Sequence, residues 1–119
     1  MLLTINHLTR YHFDEPVAHG LQRLRLTPKA TSGQSILDWE MTLEGATVEA
    51  EYEDLNHNKT TLIALNSGTR ELTVTCRGSV QTADQSGVIG RHAGHLPLWH
   101  FLDNTAATRP GPRMRALVA

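Results

Sequence analysis

Cysteine and histidine are the residue types that most often do nucleophilic, proton-transfer or metal chemistry, and this chain carries one of the first, Cys76, and seven of the second. A reactive thiol needs partial exposure and a cationic partner or helix N-terminus to lower its pKa. Cys76 instead alternates in phase with Leu72, Val74 and Val80, which predicts a buried, inert side chain. His92, His95 and His100 are the only histidines that cluster in sequence. Zinc requires ligands converging at about 2.0 to 2.3 Å, and no Cys or Glu stands at ligand spacing beside these three. They are expected to be solvated loop residues or to pack under Trp99, and no metal or other cofactor is predicted. His7, His12 and His19 are too dispersed to form a site.

Other patterns are weaker. Glu49, Glu51 and Glu53 repeat with period two, which predicts a solvated strand face more readily than a cation site. Arg23 and Arg25 have the same spacing and could pair across strands with that row. Gly87-Val88-Ile89-Gly90 has the spacing of a nucleic-acid clamp, without flanking helices or basic neighbours beyond Arg91. G-x-S-x-G, G-x-G-x-x-G and P-loop patterns do not occur. Eleven basic against twelve acidic side chains, a formal charge of -1, give no field that would gather polyanions or an anionic membrane surface. Neither nucleic acid nor membrane is an expected partner. A lone cysteine cannot form an internal disulfide, and the N-terminus lacks a basic, then apolar, leader, so a cytoplasmic location is predicted. There the sequon Asn58-Lys59-Thr60 would go unused.

The elements that must position these residues are almost all strands. Leu3, Ile5, His7, Thr9, Tyr11 and Phe13 form one face of a first strand, ended by Asp14-Glu15-Pro16-Val17. Leu21 to Pro28 resumes the alternation, with Leu24 and Leu26 inward and Arg23 and Arg25 outward. Leu37, Trp39, Met41 and Leu43 share the inner face of the next strand, closed by Glu44-Gly45. Val48, Ala50 and Tyr52 follow, opposite the Glu row, then an Asp54–Asn58 turn and a return strand over Thr60 to Leu65. A further turn at Asn66-Ser67-Gly68-Thr69 leads into a long strand carrying Leu72, Val74, Cys76 and Val80. This predicts an all-β fold: an antiparallel β-sandwich of six to seven strands with a short helical C-terminal extension.

After Thr82 the texture changes. Leu96 to Leu102 is apolar without alternation, Arg109-Pro110-Gly111-Pro112 is a break, and Arg113 to Ala119 is rich in helix formers. The division expected is a sandwich over 1–95 and a linker with the start of a helix over 96–119. A chain whose sequence stops within an apolar helical run reads as the front part of a longer protein.

Four motifs occur in order: Tyr11-x-x-Asp14-Glu15-Pro16-Val17, Leu24-Arg25-Leu26-x-Pro28, Tyr52-x-Asp54-x-x-x-Asn58, and Leu96-Pro97 before a hydrophobic cluster. Together they resemble the N-terminal region of bacterial transglutaminase-like proteins, and the resemblance spans essentially the whole chain. One departure is His57, where that family usually has Gly before Asn58; a non-Gly residue there must accept a positive φ, or the turn type differs. The resemblance implies a non-catalytic accessory sandwich that positions a downstream papain-like domain carrying Cys, His and Asp. The parent would then be a cysteine peptidase or acyltransferase, with its catalytic residues outside this chain. Leu96, Leu98, Trp99, Phe101, Met114 and Leu117 are the residues expected to dock onto that domain, because apolar side chains in a polar tail usually find a pocket. A homo-oligomer is compatible with the sequence. The contrasting reading is a free-standing sandwich that binds a small ligand or carbohydrate. It would need an exposed aromatic on a strand; its candidate, Trp39, has the phase of a core residue.

Overall fold

Strands with one apolar face can be stable only when that face is covered, and the computed structural model shows how six of them solve this. It describes residues 1–88, 90 and 94–118. The strands are β1 (Leu2–Val17), β2 (Leu21–Leu24), β3 (Gln34–Glu44), β4 (Ala46–Glu53), β5 (Lys59–Leu65) and β6 (Thr69–Thr82). They form two antiparallel three-stranded sheets, ordered β1-β6-β3 and β2-β5-β4. A 3-10 helix at Leu98–Leu102 and a short helix α1 (Pro112–Ala116) follow. The fold is all-β, as the alternation predicts.

The two consecutive strands β5 and β6 are the centres of their sheets, so their inward residues are the most deeply buried. Ile63 and Leu72 are fully covered, and Val74, Cys76, Leu24 and Ala46 complete the cluster. Phe13, Leu26, Trp39, Met41, Leu43 and Leu65 pack around it. Only β4 and β5 join as a hairpin within one sheet; each of the other connections crosses between sheets. The tightest crossing is a single residue, Gly45, between Glu44 of β3 and Ala46 of β4. Its φ of +88° lies in the left-handed region, and an added Cβ would stand 2.1 Å from the Glu71 carbonyl oxygen.

Several expected boundaries move. Asp14-Glu15-Pro16-Val17 does not end the first strand: β1 runs on to Val17 with a register shift between His12 and Val17. Pro16 is tolerated because β1 is an edge strand, where a missing N–H costs no ladder bond. Arg70 holds this irregular stretch, donating to the Asp14 carbonyl oxygen and lying 3.9 Å from the Glu15 carboxylate. The second strand is shorter than predicted, four residues rather than a run to Pro28. The helix expected from Arg113 spans Pro112–Ala116, while Ala119 lies outside the described residues.

Two bulges overturn side-chain phases. In β3 the register skips Leu37 between Ile36 and Asp38, so Ile36 takes the inward place and Leu37 is exposed. In β4 it skips Glu49 between Val48 and Ala50. Beyond that point Glu51 and Glu53 lie on the same side as Thr61, toward the core but at the open margin. Ala50 and Tyr52 turn to the outer face, beside Leu62 and Thr60. The three glutamates therefore do not form one row, and Val48, Ala50 and Tyr52 do not share a face. An extra residue shifts a period-two pattern by one and inverts everything after it.

Candidate docking surface

The Asp54–Asn58 turn shows how local sequence fixes the end of the β4–β5 hairpin. The Asp54 carboxylate accepts hydrogen bonds from the backbone N–H groups of Asn56 and Asn58, each at 2.9 Å, and from the Asn58 side-chain amide at 3.0 Å. Arg25 Nε donates to it at 2.6 Å, tying β2's extension to the turn. These bonds, Asn58's first and then those of Arg25 and Asn56, hold the Asp54 carboxyl well below the usual carboxylate range despite the opposing effect of burial. His57 does adopt a positive φ, +54°, and its ring pairs with the Glu53 carboxylate. Asp54 thus supplies a scaffold that lets a non-glycine residue occupy the left-handed position. The Arg25 partner is Asp54, not the glutamate row, and Glu51 pairs with Lys59 at 3.4 Å.

Among the described residues the candidate chemical groups do not assemble. Cys76 is a buried free cysteine, 1% exposed, and burial pushes its thiol pKa up, away from nucleophilic use. His92, and Ile89 of the Gly-rich loop, lie outside the described residues. His95 packs against His57 with ring centroids 5.9 Å apart, whereas His100 sits between Trp99 and Phe101. Among the described residues no three His, Cys, Asp or Glu side chains come together to hold a metal, and no helix is long and apolar enough to cross a membrane. Trp39 lies on the inner face opposite Gly78 and is half-buried against the core. It also lines an open cleft of about 390 Å³ with Ile5, His7, Leu26, Pro28 and Cys76.

What the chain does display is apolar surface. None of the residues of the 3-10 helix or α1 is buried. Trp99 is 64% exposed and Leu117 88%, and Leu98, Phe101 and Met114 are exposed as well, while Leu96 is half-buried. The His95–His57 contact places the start of this tail beside the β4–β5 turn. The outer face of the second sheet adds to it. Leu21, Leu62, Ala64, Ala50 and Tyr52 lie there by register, with Leu21 and Tyr52 exposed. The outer face of the first sheet is ordinary by contrast, with Asp38, Glu40 and Thr42 alongside Ser79, Arg77 and Thr75. Leu21 is outward by its alternation, whereas Ala50 and Tyr52 reach this face only through the bulge at Glu49, which inverts the phase of β4. No local signal in the sequence marks that bulge.

Two three-stranded sheets around one core, a knitted hairpin turn and an apolar tail, with the sole cysteine buried, define an all-β sandwich. The chain belongs to the family described as the bacterial transglutaminase-like N-terminal region, which matches residues 3–81. That match takes in all but the ends of the six strands, and the Leu96-Pro97 motif lies beyond it. Comparison with curated proteins returned no match, and neither did comparison with solved structures.

Proposed function

We propose that this chain is the accessory sandwich of a transglutaminase-like cysteine peptidase or acyltransferase, and that it positions a downstream Cys-His-Asp domain. Leu96, Leu98, Trp99, Phe101, Met114 and Leu117 are the docking residues, with the outer face of the β2-β5-β4 sheet as the floor beside them. The observation that carries this reading is the exposure of the tail's large apolar side chains in a chain of this family. Apolar patches of this kind mark surfaces that another protein surface covers. Trp99 is the anchor, since buried aromatics dominate the energetics of such contacts.

The test is limited proteolysis of the longer protein and of the 119-residue chain side by side. Segment 96–118 should be cut readily in the short chain and protected in the long one. Trp99→Ala should weaken docking by roughly 2 kcal/mol, the size of an interface hot spot, and restore cleavage. A tail cut equally fast in both proteins, or a downstream sequence without a cysteine–histidine–aspartate domain, would sink the proposal.

A further inference from the structure

The four edge strands of the sandwich are not equally defended. An unpaired edge is a template for another strand, and proteins blunt it with bulges, charges, proline or brevity. β3 carries the bulge at Leu37 together with Asp38, Glu40 and Glu44. β4 carries the bulge at Glu49 and the inward carboxylates Glu51 and Glu53, and β2 is only four residues long. β1 has none of these devices between Leu2 and His12. Its register with β6 is continuous there, and the segment contains no proline, lysine or acidic residue and one arginine, Arg10.

We infer that the free edge of β1 pairs antiparallel with β1 of a second copy of this chain, joining two three-stranded sheets into one of six strands. The segment is self-complementary. A two-fold axis at His7, the midpoint of Leu2–His12, sets Leu3 of one protomer opposite Tyr11 of its partner, and Ile5 opposite Thr9. Both pairs then occur twice. All four residues belong to the inward face of β1 by their register with β6. Yet Leu3 is 37% exposed and Tyr11 43%, so the second sheet leaves this margin uncovered. Directly opposed residues in an antiparallel ladder share a face, so the pairing would bring these half-open apolar side chains together. On the outer face Arg10 falls opposite Thr4, and on the inward face the axis sets His7 against His7 of the second copy, the one titratable side chain that meets its own kind.

Surface area is consistent with such an interface. The chain exposes 9134 Å², whereas a compact monomer of 13.2 kDa would expose about 6400 Å². Its radius of gyration is 18.3 Å, against roughly 13.5 Å for a compact domain of this length. A standard interface needs only about 800 Å² from each partner.

Sedimentation analysis of the 119-residue chain over a range of concentrations tests this, with circular dichroism to establish folding. The wild type should approach twice the 13.2 kDa mass of one chain. Leu3→Lys with Tyr11→Lys places like charges opposite each other and should return the mass to that of one chain. Leu3→Lys with Tyr11→Glu places opposite charges there and should restore the doubling. A wild type that stays monomeric throughout overturns the proposal, as does a dimer indifferent to the paired lysines or not restored by the lysine–glutamate pair. Should the variants misfold, hydrogen exchange on the wild type decides. Protection of the Leu2–His12 amides must rise with protein concentration, and protection independent of concentration refutes the pairing.

Discussion

Replacing Gly45 with Ala separates two costs that usually arrive together. Gly45 crosses from one sheet to the other at φ +88°, and its Cβ would meet the Glu71 carbonyl oxygen at 2.1 Å. Gly68, in the turn before β6, has a φ of +81° and nothing within 4 Å of an added Cβ. A left-handed backbone costs an L-residue about 1 to 2 kcal/mol, partly offset by about 0.4 to 1 kcal/mol from the loss of unfolded-state freedom. Gly68→Ala should therefore destabilise by roughly 0.5 to 1 kcal/mol. At Gly45 the same strain is joined by displacement of β6, the central strand, because Glu71 is held in the ladder opposite His12 and its carbonyl oxygen also accepts from the Thr69 hydroxyl. Overpacking of that kind costs about 1 to 3 kcal/mol, for a total near 2 to 4 kcal/mol. At about 4 °C per kcal/mol for a domain of this size, thermal unfolding should fall by roughly 8 to 16 °C for Gly45→Ala, and by ~2 to 4 °C for Gly68→Ala. Equal losses at the two positions would refute the corner's dependence on close approach and leave only the backbone angle.

Two further outcomes follow from buried or knitted side chains. Cys76 should react with a thiol reagent at least ~10³-fold more slowly in the native chain than in denaturant, since the native thiol is 1% exposed at the floor of its cleft; comparable rates would show that the cleft admits the reagent or that the sandwich opens at β6. Asp54→Asn should lower stability at neutral pH. Because the folded-state pKa of Asp54 is depressed, its contribution is present above its ordinary value of 3.8 and is lost as pH falls from there toward the lower folded value. Denaturant midpoints should therefore show a constant gap between variant and wild type above about pH 5 that narrows in acid, and a gap independent of pH would remove Asp54's charge from the explanation.

Much of the sandwich was legible because period-two alternation reports which face of a strand is covered. Leu72, Val74 and Cys76 are buried as their phase requires, and the Asp54–Asn58 turn falls where Asp and Asn place it. The misreadings share a cause. Leu37, Glu49 and the Asp14–Val17 stretch are places where the ladder slips, and a slip leaves the composition of a strand unchanged while reversing its faces. Pro16 has the signature of a strand terminator, although an edge position tolerates it. The apolar character of segment 96–118 was legible, since Leu98, Trp99, Phe101 and Leu117 stand there without the alternation of a strand. The open margin of β1 was not, because alternation says which way a side chain points and nothing about how far the opposite sheet extends.

The placement of β5 and β6 at the sheet centres also sets an order of events. Each of the four ladders contains one of these two strands: β1 and β3 pair with β6, and β2 and β4 with β5. The first four strands have no ladder among themselves. During synthesis they emerge without partners, and the first sheet cannot close until the chain has been made through β6. Such late, long-range pairing is slow and leaves strand edges exposed while it waits. The chain must therefore keep more than half its length from pairing wrongly before the first correct ladder exists. The carboxylates on β3 and β4 oppose wrong pairing in the nascent chain, before the bulges of the finished ladders exist.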